Sequence, residues 1–245
     1  MNNTMFTLII QGPTTSITQQ IVDSALSENR IEKIIVSHWD TDSVQIYPID
    51  KVELILSNNP YPNNTSVVWN KFNLANQAMT TVNAFNEKIS TPYVIKLRSN
   101  WPYLDFQKII DRFLEEPSKI LTSNLFFRHT KIHPFHCSDH LIVAESEVIE
   151  KAFRNVYHRC VNRDIERTYY ASDYYNNLSW PAVEQLICDE LLHAKNVSER
   201  DNPSEIMKAN FKIIVAEELT KGESLPVSST EANKNCPIIM SINEI

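Results

Sequence analysis

Four short segments carry side chains able to do chemistry. The first is KLRSN, Lys96 to Asn100, which closes an apolar run. Carboxylates at positions 98 and 100 would hold a hard divalent cation, because such cations prefer oxygen ligands. Arg98 and Asn100 stand there instead. A guanidinium binds phosphate bidentately and supplies positive charge in place of a metal. A strand end with a solvent-facing Arg and a turn Asn would look the same. The second segment is HTKIHPFHCSDH, in which His129, His133, His136 and His140 recur at helical spacing around Cys137 and Asp139. Zinc is the chemistry such a set suggests, but Pro134 would break the helix that the spacing needs. No metal site is therefore expected. Asp139, just before an apolar stretch, is a candidate general base, and a turn carboxylate at a strand entry has equal claim. The third segment is the pair Glu184-Gln185 after Pro181. Glu184 in a first helical turn complements the helix dipole, and a carboxylate there could also contact a hydroxyl. The fourth is the amide stripe Asn70, Asn73 and Gln77. Amides match sugar hydroxyls and bases, whereas a merely solvated helix face would favour Lys and Glu, which are better helix formers.

These segments need elements to hold them. Apolar runs of strand length occur at 5–11, 33–39, 52–57, 92–98, 119–127 and 140–144. Gly12-Pro13 stops the first, and a helix follows with Ser16 and Gln19 as a possible capping box. Helical periodicity predicts further helices over 69–87, 106–114, 146–158 and from Pro181 to about Leu191. Residues 203–219 read as helical or mixed, with FKIIVAEE a candidate strand. Strands alternating with helices imply a mainly parallel sheet covered on both faces. Ligands in such sheets sit beyond the carboxyl ends of the strands, which directs attention to Gln11 to Thr14 (with Gly12 and Pro13), His38 to Asp42, Arg98 to Trp101, and Phe127 to Asp139.

Composition narrows the function. The chain has 245 residues and a net charge of −7, with scattered Lys and Arg. That argues against a sequence-independent nucleic-acid binder, which clusters cations on phosphates. The four cysteines, Cys137, Cys160, Cys188 and Cys236, form no C-x-x-C pair, so reduced thiols, no zinc and a cytoplasmic setting are expected. The opening residues lack the basic and apolar segments of a secretory leader. No run approaches the ~20 apolar residues of a membrane span, so at most peripheral membrane contact is expected, at the inner face of the cytoplasmic membrane. The only glycines, Gly12 and Gly222, exclude dinucleotide fingerprints and P-loops.

In order along residues 5–190, the motifs resemble the WavE family of lipopolysaccharide-synthesis glycosyltransferases. They are QGP (Gln11 to Pro13), a Ser-x-Trp (Ser37, Trp39), N-x-x-N-Q (Asn73, Asn76, Gln77), YVIKLRSN, PFHCSDH and Glu184-Gln185. Two positions depart from the family pattern: Asn100 where it tends to show Asp, and His140 where it tends to show an aromatic. The resemblance implies a GT-A-like α/β domain over residues 1–200, with 201–245 as a C-terminal extension. It also implies transfer of a sugar from an activated donor to a lipopolysaccharide, O-antigen or capsule glycan, free or lipid-linked. The donor would be a nucleotide sugar or a sugar diphosphate such as phosphoribosyl diphosphate. Gln11, Gly12, Pro13, Asn73, Gln77, Arg98 and Asn100 would bind it. Asp139 would serve as base, His136 would orient it or meet the leaving phosphate, and Glu184 would contact a hydroxyl. Asn100 places a requirement for Mg or Mn in doubt. A non-catalytic glycan-binding or scaffold subunit is the alternative.

Overall fold

The structure is a computed structural model describing residues 4–40, 50–58, 78–87, 89–101, 104–125, 127–131, 133–162, 183–220, 239 and 241–245. Its strands are β1 (Phe6–Gln11), β2 (Ile31–Trp39), β3 (Val52–Ser57), β4 (Tyr93–Arg98), β5 (Ile120–Ser123), β6 (Leu141–Glu145) and β7 (Phe211–Ile214). Its α-helices are α1 (Ser16–Leu26), α2 (Phe106–Leu114), α3 (Ser146–Asn162), α4 (Val183–Ala194) and α5 (Pro203–Asn210), and residues 78–84 are also helical. The strands form one sheet in the order β3-β2-β1-β4-β6-β5-β7. All neighbours are parallel except β6, which runs antiparallel to both β4 and β5. The expected mainly parallel α/β sheet is therefore present, with one reversed strand.

Central strands are apolar on both faces because both are covered. Ile9, Ile35, Val94 and Ile142 face one core with Phe153, Leu186 and Leu191, while Leu8, Ile10, Val36 and Leu97 face another with Ile21, Ile110 and Phe113. Helices α1 and α2 thus cover one side of the sheet, and α3, α4 and residues 78–84 cover the other. Helix α2 shows the local logic. Asp105 caps it by accepting from Lys108 N at 3.0 Å, and Phe106, Ile109, Ile110 and Phe113 are buried. Each such side chain contributes about 1.5–3 kcal/mol on burial.

Several boundaries differ from those expected. The capping box of α1 lies one residue earlier, at Thr15 and Thr18, because Thr15 takes the extended backbone that a cap requires. Strand β5 ends at Ser123 rather than 127: the chain turns there, with Phe127 N donating to Asn124 O at 3.1 Å. The mixed region resolves into α5, then β7, then a short 3-10 turn at Ala216–Glu218. Strand β7 pairs with β5, so the sheet continues past residue 200. Asn70, Asn73, Gln77, Pro181, Cys236 and Gly222 lie outside the described residues. No helix among the described residues is long and apolar enough to cross a membrane.

Candidate active site

The carboxyl ends of β2, β1 and β4 lie level with one another. Gln11 is registered with Ser37 on one side and with Arg98 on the other. The turn leaving β1 is held against the turn leaving β4. Ser99 N donates to Gln11 O at 2.9 Å, and Ser99 Oγ to Pro13 O at 2.6 Å. Gly12 has φ +121°, and a Cβ there would sit 2.8 Å from Ser99 Oγ. Only glycine meets both conditions without strain. Pro13 and Asn100 are exposed at the rim.

Strand β4 alternates, so Val94, Lys96 and Arg98 share the face covered by α3 and α4. Arg98 donates through Nε to Asp139 Oδ2 at 2.9 Å, and its Nη2 reaches the same oxygen. Lys96, fully buried with Nζ 5.4 Å from the centre of the Phe153 ring, donates to the Asp139 carbonyl at 2.6 Å. Two residues of one strand thus bind both the side chain and the backbone of Asp139. Burial alone would raise the carboxyl of Asp139, but the charges of Arg98 and Lys96 outweigh it and hold Asp139 well below the usual carboxylate range. Burial brings Lys96 down to about 8 against the pull of Asp139.

Glu184 enters from the first turn of α4. Its carboxyl is pushed up to about 7 by burial and then by the negative charge of Asp139, with Arg98 and Arg128 opposing. Its side chain remains one-fifth exposed. His136 Nε2 lies 3.9 Å from Glu184 Oε2, beyond hydrogen-bond reach. Burial, then Arg128 and His133, bring His136 down to about 3, so its ring is neutral at pH 7. His140 is likewise brought to about 3, by burial and then Arg98, and meets Trp101 edge-on at 6.1 Å between ring centres.

Arg98, His136, Asp139 and Glu184 therefore lie together, Gln11 and Gly12 stand beside Arg98 and Ser99 at the ends of β1 and β4, and Pro13 and Asn100 stay at the rim. Lys96, Ser99, Ser37, Trp101 and Arg128 joined the site without having been assigned a role. A lysine alternating with Arg98 inside a buried strand was a signal for Lys96, whereas Arg128 lay in the stretch Phe127 to Asp139 with nothing to single it out there. Among the described residues, Gln11 Oε1, Thr14 Oγ1, Ser37 Oγ, Trp101 Nε1, His136 Nδ1 and Asp139 Oδ1 are buried without a hydrogen-bond partner. Such atoms cost about 1–3 kcal/mol each when left unpaired.

The described residues do not offer a divalent cation its set of ligands. No group of three or more His, Cys, Asp or Glu among the described residues is placed to hold a metal, and the Asp139 carboxylate is already paired with Arg98. The positive charge here comes from side chains.

Among solved structures, the chain is similar to the 2-C-methyl-D-erythritol 4-phosphate cytidylyltransferase of Francisella tularensis, with a TM-score of 0.48 and 11% identity over 93% of this chain and 95% of that one. It is also similar to the 4-diphosphocytidyl-2C-methyl-D-erythritol synthase of Anaerococcus prevotii, with a TM-score of 0.43 and 8% identity over 87% and 90%. Both are distant likenesses of overall shape. No curated protein matches the chain. A family model described as WavE lipopolysaccharide synthesis matches residues 6–215, and the chain belongs to that family.

Proposed function

We propose that the protein transfers a glycosyl group from a phosphate-activated donor to a hydroxyl of a surface glycan during lipopolysaccharide synthesis. The observation that carries this reading is the juxtaposition of the Arg98–Asp139–Lys96 cluster with Glu184, a carboxyl whose proton leaves near neutral pH. Arg98 and the Gly12-Pro13 turn bind the donor phosphates. The acceptor oxygen attacks the anomeric carbon, and the bond from that carbon to the phosphate oxygen breaks. The phosphate departs with the electron pair toward Arg98, and the acceptor proton passes to Glu184.

This assignment moves the role of base from Asp139, where it was expected, to Glu184. A general base works best with a pKa near the operating pH. Asp139 is held far below that, fully buried and paired with Arg98, so it serves as the counter-ion that fixes the guanidinium. Glu184, raised to about 7 and reached by solvent, is suited to take the proton. Neutral His136 offers Nδ1, which lacks a protein partner, to a donor or acceptor oxygen.

Purified protein incubated with a panel of nucleotide sugars and sugar diphosphates, with and without lipopolysaccharide-derived acceptors, tests the reading. Acceptor-dependent release of the leaving phosphate from at least one donor is expected. Glycan binding without turnover of any donor would favour the non-catalytic subunit instead.

A further inference from the structure

We infer that Arg200, outside the reacting centre, is a positioning residue that holds the loop carrying His136 and Asp139 against α4. The inference rests on the transfer reading for its functional consequence, but not for its structural content. The starting point is Phe135, whose φ is +55°. That left-handed backbone is unfavourable for a bulky side chain and persists only where the surroundings enforce it. Phe135 immediately precedes His136, and its side chain is buried.

Two contacts enforce it, both from α4 and the segment that follows. Gln185 Nε2 donates to Pro134 O at 3.2 Å. The guanidinium carbon of Arg200 lies 5.4 Å from the centre of the Phe135 ring, within cation–π range. The guanidinium is itself held rigidly. Its Nε and Nη2 donate to Asp189 Oδ1 at 3.2 and 3.0 Å, and its Nη1 to Val197 O and Glu199 O at 2.7 and 2.8 Å. Asp189 also accepts from Arg159 at 3.4 Å. Gln185 and Asp189 lie four residues apart and so on one face of α4. The helix that presents Glu184 therefore also grips the two residues before His136. The 3.9 Å between His136 and Glu184 is set by this grip, and displacements of that order matter to a transfer step.

Hydrogen–deuterium exchange of the full chain tests the grip without any substrate. In Arg200→Ala, exchange over residues 133–140 should rise by about tenfold or more, while β1, β2 and β4 keep their protection. Arg200→Lys retains the charge but not the fork of donors, and should fall between. Phe135→Gly removes the backbone cost, so Arg200→Ala should add less than about threefold to loop exchange in that background. On the donor that the wild type turns over, Arg200→Ala should lower kcat about tenfold or more with KM within about twofold. Unchanged loop exchange, or an even loss of protection across the sheet, would overturn the inference. So would a kcat unaltered despite a loosened loop. If the wild type turns over no donor while Arg200→Ala still loosens residues 133–140, the grip stands and the transfer reading falls.

Discussion

Arg98 and Asp139 illustrate how one contact changes the meaning of two residues. Read alone, Arg98 ends a strand and reaches for a ligand, so Arg98→Ala would weaken donor binding and spare the fold. Its pairing with a fully buried carboxylate alters that expectation. Removing one partner of a buried pair leaves the other charge uncompensated, at about 3–5 kcal/mol. Arg98→Ala should therefore lower both stability and donor affinity. Arg98→Ala combined with Asp139→Asn should recover about 1–2 kcal/mol of stability without restoring affinity. Urea unfolding beside calorimetric donor titration on both variants checks this, and full stability in the single variant would count against the pair. Glu184 makes the opposite prediction. Its carboxyl is raised from the ordinary glutamate value to about 7 in the folded protein. Below the ordinary value it is protonated in both states and costs nothing. Between there and about pH 7, unfolding releases a proton and stability declines with rising pH. Glu184→Gln should therefore leave stability nearly unchanged at pH 4 and raise it by on the order of 1–2 kcal/mol at pH 8. The same variant should lose about 10²–10⁴-fold in transfer, and wild-type transfer should rise through pH 7. A gain over wild type no larger at pH 8 than at pH 4 would show that Glu184 is not a raised carboxyl.

At the scale of elements, the turn between β1 and α1 does the positioning. It is bounded by the capping box of Thr15 and Thr18 and by Ser99, which receives Thr18 Oγ1 on its carbonyl at 3.2 Å. Gly12→Ala should destabilise the protein by about 1–3 kcal/mol, through its positive φ and through contact with Ser99 Oγ. In a Ser99→Ala background the contact is relieved but the backbone penalty is not, so Gly12→Ala should still be destabilising there. Thermal melts of the four proteins separate the two causes. The element boundaries were largely visible in sequence. α2 spans the same residues as its periodic stripe, because a helical stripe of Ile and Phe buries against whatever core it meets, and β3 spans the same residues as its apolar run although it is an edge strand that leaves Leu54 and Leu56 exposed. β5 was read too long because Leu125 and Phe127 are apolar and buried yet lie in a turn.

At the scale of the molecule, an acidic chain of net charge −7 concentrates Lys96, Arg98 and Arg128 around one end of its sheet. On the proposed reading, these charges take the part that a metal would play in neutralising donor phosphates. Chelation should therefore reduce donor affinity by less than about 100-fold, roughly 2.7 kcal/mol. Donor titrations with and without a chelator measure this, and a larger loss would mean that a cation is required.

The sequence by itself determined the class of fold and the strand ends near which candidate residues stand. Both follow from local rules: apolar runs form strands, and helical stripes face a core. Only the tertiary structure decided that β6 runs antiparallel between β4 and β5, that Lys96 and Arg98 close on Asp139 from across the loop, and that α4 brings Glu184 beside them. Their consequence, which carboxyl keeps its proton, was equally invisible. A carboxyl's proton affinity is set by burial and by charges within a few ångströms, and for Asp139 the deciding charge lies 41 residues away along the chain.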